Sequence, residues 1–275
     1  MQYGICNLNI VPVRVEPDDT SELVSQLLFG EQIKVLEKRK KWSRIRIAFD
    51  HYEGWVDNKQ YLEISEEDYC LLESSAEELA VDLVDFAVQP NSQQLTPLSI
   101  GAKLNFIDRF QLQFDGRKII GVQPKEHLLE TAYLYLNSPY LWGGKTPFGI
   151  DCSGFTQMVY RLNGYQLYRD ASQQAKQGEA LSFIEESEPG DLAFFDNAEG
   201  YANGESELIM GKVLSRMKWP RDSYCVSSKV YWGGEKPTQK GLSRKHIHDA
   251  CHSALERLKV DYLDLFFCHR PDRHT

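Results

Sequence analysis

The 275-residue sequence lacks any apolar run that approaches the roughly 20 residues of a membrane-spanning helix. It also lacks a basic segment followed by an apolar one at its N-terminus, so no secretion signal is apparent. Its six cysteines form no CxxC pair and no regular frame, which favours reduced thiols over disulfides. These absences predict a protein without a membrane span, cytoplasmic as written or periplasmic if a leader has been removed.

The sequence also has fewer basic than acidic residues. The chain has 31 Lys and Arg against 40 Asp and Glu, a balance that argues against nucleic acid as a partner. The deficit is uneven, because residues 1–196 carry a net charge of −12 and residues 197–275 one of +3. Five of the seven histidines lie at or beyond His246. Such a shift is typical of a join between unlike segments.

Residues 1–65 carry short runs of β-forming residues separated by turn formers. The segment 42–47 alternates with the period of two of a half-buried strand. Five such strands predict a small barrel, and their order, with Gly54-Trp55-Val56 in a late strand, resembles a bacterial SH3-like domain. We interpret residues 66–122 as a second, diverged SH3-like domain with a helix over 75–88 and a hairpin turn at 114–117.

The pattern changes after Pro124, where residues 125–136 predict an amphipathic helix. Further on, apolar residues recur at helical spacing from Phe155 to Leu162, which places Cys152 in the first turn of a second helix. A thiol at this position faces the positive end of the helix dipole, which favours the nucleophilic thiolate. Taken alone, Cys152 could equally be a small buried residue.

Four short motifs surround this cysteine: Tyr-Leu-Trp-Gly-Gly at 140–144, Asp-Cys-Ser-Gly-Phe at 151–155, Arg-Asp-Ala-Ser-Gln-Gln at 169–174 and Pro-Gly-Asp at 189–191. Their order and spacing resemble the NlpC-type cysteine peptidases, over about residues 1–199. The resemblance implies a papain-like α+β domain, which would cleave the γ-D-glutamyl–diamino-acid bond of peptidoglycan-derived peptides. Cys152 matches the nucleophile, and Tyr140, Ser153 and Asp170 match substrate-binding positions. Asp170 would pair with the free amine of an L-Ala-γ-D-Glu peptide, cap a helix, or do both.

The resemblance ends before the position at which these peptidases have their catalytic histidine. Such peptidases use a histidine on the strand after Phe195 to accept the thiol proton, yet no histidine occurs between His127 and His246. A cysteine nucleophile without its base lacks the pair that activates it. The sequence therefore predicts a cell-wall peptidase lineage that is inactive in this form. A non-catalytic protein that binds cell-wall peptides is an alternative.

The sequence after Phe195 resembles the aldo-keto reductases, in their potassium-channel β-subunit branch. This resemblance is carried by residues 196–207, 232–234 and 241–246. It implies a catalytic tetrad of Asp196, Tyr201, Lys229 and His269, with the tyrosine as general acid. A reductase fragment that depends on NADP is thus a second functional hypothesis.

The reductase-like tail is short. A helix over 243–259, N-capped by Ser243, and a buried strand over 262–268 predict about strands two to four of a TIM barrel. A full barrel takes ~250 residues, and this family builds most of its NADP pocket in the half that is missing here. We therefore expect the tail not to bind NADP, and the peptidase part needs no cofactor.

Residues 194–200 fit both families, so the seam lies between Phe194 and Gly200. The predicted fold class is mixed. It combines SH3-like barrels over 1–65 and 66–122, a truncated papain-like domain over 123–195 and a β/α barrel fragment over 196–275.

Three histidines on the predicted tail helix raise the question of a metal site. His248 and His252 are four residues apart on one helical face, a spacing that suits two ligands. No cysteine or acidic residue lies at a spacing that would complete a metal site. The sequence favours a solvated helix face that includes His246, and predicts no metal.

Overall fold

The computed structural model describes residues 2–178, 191, 197–218, 221, 226–263 and 265–272. The chain divides into two compact units, residues 1–192 and residues 193–275. This division lies beside the predicted seam, where the net charge also changes sign. Among the described residues, no helix combines the length and apolar character required to cross a membrane.

The N-terminal segment is an antiparallel sheet of seven strands in the order β3-β2-β6-β5-β4-β1-β7. The strands are β1 Gln2–Ile5, β2 Ile10–Arg14, β3 Leu23–Leu28, β4 Gln32–Lys38, β5 Trp42–Ile47, β6 Glu53–Asp57 and β7 Leu62–Ile64. Alternate residues of β5 point into one core that includes Val11, Ile33 and Ile45. The predicted all-β, SH3-like segment is confirmed, with two more strands than expected.

The next segment begins with helix α1, Glu66–Ser74, and continues with strands β8 Glu78–Ala80, β9 Val84–Gln89, β10 Gln94–Ser99 and β11 Lys118–Ile120. The helix predicted over 75–88 is wrong. A helix forms earlier because Ser65 accepts the N–H of Asp68 at 3.0 Å and acidic residues occupy the first turn. The hairpin predicted at 114–117 is also wrong, since β11 pairs with β8 and β9 pairs with β10. A second SH3-like barrel over 66–122 stays a prediction.

The third segment contains helix α2 His127–Leu134, the short strands β12 Lys145–Thr146 and β13 Gly149–Ile150, helix α3 Cys152–Leu162 and helix α4 Ala171–Gln174. Both predicted helices are present. Leu128 of α2 and Met158, Val159 and Leu162 of α3 share one core, which explains the apolar spacing after Cys152. The Pro-Gly-Asp turn at 189–191 also predicts a strand over 192–195, and these residues lie outside the described part of the chain.

A buried cluster of charges joins these three segments. Glu31 accepts hydrogen bonds from Lys145 Nζ at 3.2 Å and from the Arg161 guanidinium. Arg161 also forms two hydrogen bonds with Glu77, of 2.9 and 3.0 Å, and Glu77 pairs with Lys103 at 3.4 Å. Burial alone would raise the pKa of Glu31, but Lys145 and Arg161 lower it to about 2. The sheet, the middle segment and helix α3 thus share one charge network, which favours a single arrangement of the three.

The second unit contains helix α5 Glu205–Met217, strand β14 Ser227–Val230, helix α6 Arg244–Leu258 and strand β15 Leu265–Cys268. β14 and β15 are parallel, and α6 connects them, as in a strand–helix–strand segment of a barrel. Ser243 caps α6 by accepting the N–H of His246 at 3.2 Å, as predicted. The expectation that His246 lies on a solvated helix face is wrong. Its ring is buried, and its Nε2 lies 3.1 Å from Glu199 Oε2.

Candidate active site

Cys152 is the first residue of α3, and it is exposed. Asp151 occupies the N-cap position, where its Oδ1 accepts the N–H of Gly154 at 2.7 Å. Gly154 is required by a close approach, since a Cβ there would lie 2.3 Å from the carbonyl oxygen of Gly144. The thiol therefore stands at the positive end of an eleven-residue helix, an environment that favours thiolate.

A buried ion pair supports this end of the helix. Arg169 donates to both oxygens of Asp151, at 3.0 Å and 2.7 Å, and both side chains are almost fully buried. Asp151 Oδ2 also accepts the N–H of Gly143 at 2.8 Å. The Ser153 hydroxyl lies 3.0 Å from Arg169 Nη1 and 3.3 Å from Asp151 Oδ1. Ser153, a predicted substrate-binding residue, thus takes part in the support of the helix end.

Tyr140 lies on the segment that runs beside β13, where it pairs with Ile150. Burial raises the pKa of Tyr140 to about 12, and the neighbouring charges of Cys152 and Asp151 act in the same direction. Tyr140 is thus within the electrostatic reach of Cys152, and its role in substrate binding stays a prediction. Trp142 follows on the same segment, and its indole N–H donates to Glu22 Oε1 at 2.8 Å. The N-terminal sheet therefore contributes to this side of the site.

Asp170 occupies the N-cap position of α4, and its N–H donates to Gln173 Oε1 at 3.3 Å. Its carboxylate lies near the Tyr52 hydroxyl, and each group shifts the pKa of the other. Burial raises the pKa of Asp170 above its usual value, although Arg169 and the Tyr52 hydroxyl oppose this shift. Burial, followed by the Asp170 carboxylate, raises the pKa of Tyr52 to about 12. Asp170 therefore occupies the N-cap position of α4 and has a half-buried carboxylate.

Sequence reasoning missed Tyr52, which lies on the turn between β5 and β6. This turn contacts the peptidase-like segment, since Asp50 Oδ2 accepts from Gln157 Nε2 of α3 at 2.9 Å. The backbone of Phe49 likewise accepts from the Gln166 side chain. The signal in the sequence is faint, because a tyrosine beside a turn is ordinary in a β domain. Only the packing of two distant segments brings it to Asp170.

The reductase-like residues converge in the second unit. Lys229 Nζ lies 3.4 Å from the Tyr201 hydroxyl, and the rings of Tyr201 and His269 meet edge to face with centroids 5.6 Å apart. His269 directly follows β15, and its N–H donates to the carbonyl of Val230 at 3.0 Å. The tetrad position Asp196 lies outside the described residues. Three predicted residues thus meet near the C-terminal ends of two parallel strands, where such barrels hold their chemistry.

Comparisons with known families match three segments of the chain, which include the residues described above. Residues 13–60 match the bacterial dipeptidyl-peptidase Sh3 domain, residues 137–206 match the NlpC/P60 family, and residues 190–275 match the aldo/keto reductase family. The chain joins segments of three families. The last two matches overlap at 190–206, around the seam between Phe194 and Gly200.

Individual relatives agree with this division. A "Probable voltage-gated potassium channel subunit beta" of Arabidopsis thaliana is 46% identical over 97 residues, which is 35% of this chain and 30% of that protein. A protein of the same description from Oryza sativa subsp. japonica gives the same values. The chain thus spans 30% of the length of these curated relatives.

A solved NlpC/P60 family protein from Bacillus cereus shares the fold at a TM-score of 0.57 and 18% identity. The likeness covers 68% of this chain and 81% of that protein. This likeness bears on the fold, and the family match over 137–206 supports an NlpC/P60 lineage for the segment that carries Cys152.

Proposed function

We propose that residues 1–192 bind peptidoglycan-derived peptides without hydrolysing them at an enzymatic rate. The observation that carries the proposal is the capped, exposed Cys152 beside Tyr140, in a sequence without a histidine from 128 to 245. The helix end, the supporting ion pair and the tyrosine are retained. The group that would accept the thiol proton is absent from the stretch where the family carries it.

Asp170 and Tyr52 form the polar end of the proposed peptide site. The Tyr52 hydroxyl lies near the half-buried Asp170 carboxylate and favours its charged form. The carboxylate oxygens suit an ammonium group, with which a charge-assisted hydrogen bond would form. The ligand class that fits is a short peptide with a free amine, such as L-Ala-γ-D-Glu followed by a diamino acid.

The missing histidine limits the chemistry at Cys152. Attack of the thiolate on the γ-glutamyl carbonyl forms a sulfur–carbon bond, and expulsion of the amine then requires a proton. The family histidine would take the thiol proton and give it to the leaving amine. General acid–base assistance contributes roughly 10² to 10⁴ in rate, so we expect a loss of at least that size.

The test uses the full chain and the tripeptide L-Ala-γ-D-Glu-diaminopimelate. Calorimetry should show saturable binding, and mass spectrometry should show negligible hydrolysis. Asp170→Asn should weaken binding roughly 10- to 150-fold, since a charge-assisted hydrogen bond contributes roughly 1.5 to 3 kcal/mol. Asp115→Asn, which changes an exposed carboxylate in the middle segment, is the matched control and should bind as the parent does.

Two results would contradict the proposal. Hydrolysis at an ordinary enzymatic rate that Cys152→Ala abolishes would show that another group serves as the base. Equal binding by the Asp170→Asn and parent proteins would show that the amine is not held at Asp170.

The convergence of Tyr201, Lys229 and His269 favours a second candidate, a reductase site in the second unit. NADPH, the reduced cofactor, would supply a hydride to a carbonyl substrate in such a site. The described residues of this unit contain one parallel strand pair, whereas a barrel with a complete pocket has eight strands. The residues present therefore do not fit the cofactor, and we propose that the unit does not bind it. Saturable enhancement of NADPH fluorescence on addition of the protein would contradict this.

A further inference from the structure

Helix α6 carries two exposed histidines on adjoining turns. The Nε2 atoms of His248 and His252 lie 3.2 Å apart, with ring centroids separated by 4.4 Å. Side chains at positions i and i+4 of a helix share one face, so the backbone itself holds the two rings together. In the metal-free protein, this distance allows the two nitrogens to share one proton in a hydrogen bond.

The same distance suits the chelation of a metal ion. Bonds of about 2.0 to 2.1 Å from a metal to two imidazole nitrogens, at a near-tetrahedral angle, separate those nitrogens by roughly 3.2 to 3.4 Å. The Nε2 atoms of His248 and His252 already have this separation, so one ion could bridge them. Binding would therefore require little ordering beyond what the helix provides.

The surroundings of the pair also suit a metal ligand. Asp249 Oδ1 lies 3.5 Å from His248 Nδ1, and Asp249 Oδ2 accepts a hydrogen bond from Lys245 at 2.5 Å. A carboxylate at the far nitrogen of a ligating histidine orients the ring and makes its other nitrogen a better ligand. Cys251 and Arg244 line the same shallow hollow as the two histidines.

We propose that His248 and His252 bind one divalent transition-metal ion, of the Cu²⁺, Ni²⁺ or Zn²⁺ type, with water in the remaining positions. Imidazole is a preferred ligand of these ions. Among the described residues, no group of three or more His, Cys, Asp and Glu side chains is arranged to hold a metal. The site is therefore an open, two-ligand site from which the ion exchanges readily. This inference depends on α6 alone and is independent of the proposed peptide site.

The experiment titrates the full chain, freed of metal by a chelator, with Cu²⁺, Ni²⁺ and Zn²⁺ in a calorimeter. One ion should bind per chain, and Cu²⁺ should bind most tightly of the three, as the Irving–Williams order requires. His248→Gln and His252→Gln should each lower the affinity tenfold or more, since the loss of even an outer-shell partner costs roughly 10 to 100-fold. Glutamine keeps good helix propensity, and circular dichroism would confirm that α6 remains folded.

Two control variants test the assignment. His127→Gln changes an exposed histidine at the start of α2 and should leave affinity and stoichiometry unchanged. Cys251→Ser should also bind as the parent does. The proposal is overturned if His252→Gln binds as tightly as the parent, or if His127→Gln or Cys251→Ser weakens binding as much as His252→Gln does.

Discussion

The two units differ in the extent of their scaffold and in which reactive residues they contain. Residues 1–192 contain a seven-stranded sheet, several packed helices and a buried charge network, so their scaffold is extensive. Residues 193–275 bring Tyr201, Lys229 and His269 together, but their described part has one strand pair and a core of three fully buried apolar residues. The first unit has an extensive scaffold around Cys152, and no histidine occurs in the sequence between His127 and His246. The described part of the second unit has reactive residues on a small scaffold.

This difference shows that a reactive cluster and a working site need different amounts of chain. One pair of parallel strands and the turn before α5 are enough to bring a lysine, a tyrosine and a histidine together. A pocket that holds a ligand needs several elements to enclose it. The comparison therefore predicts that substitutions of buried groups have separate effects in the two units.

The largest effect on the free energy of unfolding is expected for the buried charge network of the first unit. Arg161→Met should lower the free energy of unfolding by about 3 to 5 kcal/mol, because it leaves Glu31 and Glu77 without their shared partner. Urea unfolding followed by circular dichroism measures the change. Arg117→Met, which breaks the exposed pair with Asp82, is the matched control and should cost at most about 1 kcal/mol. Equal losses in the two variants would show that the buried network does not hold the segments together.

A smaller effect is expected on acidification of the first unit. The folded-state pKa of Glu31 is about 2, below the usual 4.5, because Lys145 and Arg161 outweigh its burial. Its contribution to stability is complete above about pH 4.5 and should be lost as the pH falls towards 2. Urea unfolding at pH 6, 4 and 3 measures this loss. Glu31→Gln should be less stable at pH 6 and should show a flatter profile, and an equally steep one would contradict the assignment.

Hydrogen exchange compares the units directly. Amides of β4 and β5 should exchange with opening free energies on the order of the global unfolding free energy, since these strands lie inside the seven-stranded sheet. Amides of β14 and β15 should exchange faster, because the described part of the second unit contains one strand pair and parallel strands are normally covered on both faces. Equal protection in both pairs would show that the second unit is as stable as the first.

The smallest effect concerns thiol reactivity within the first unit. Cys152, at a helix N-terminus, should react with iodoacetamide faster than Cys70, which is exposed within an acidic helix. Cys6 should not react in the folded protein, because burial raises its pKa to about 12. Peptide mass mapping against time measures all three. Faster labelling of Cys70 than of Cys152 would show that the capped helix end does not activate the thiol.

The features that could be predicted from the sequence are local ones. Cys152 at the start of a helix follows from the Asp-Cys-Ser-Gly motif and the apolar spacing after it, which act within a few turns. The alternation of β5 and the Ser243 cap of α6 are equally short-range. The three families are identified by such motifs, and so is the region of the seam between Phe194 and Gly200.

Contacts between distant segments were decided by the tertiary structure. The approach of Tyr52 to Asp170, the burial of His246 against Glu199 and the sharing of Arg161 between Glu31 and Glu77 have no local signal. Periodicity and capping report how a residue relates to its own helix or strand. They carry no information on which other element packs against it. For that reason the sequence predicted the position of Cys152 at the start of a helix, and only the fold showed which side chains surround it.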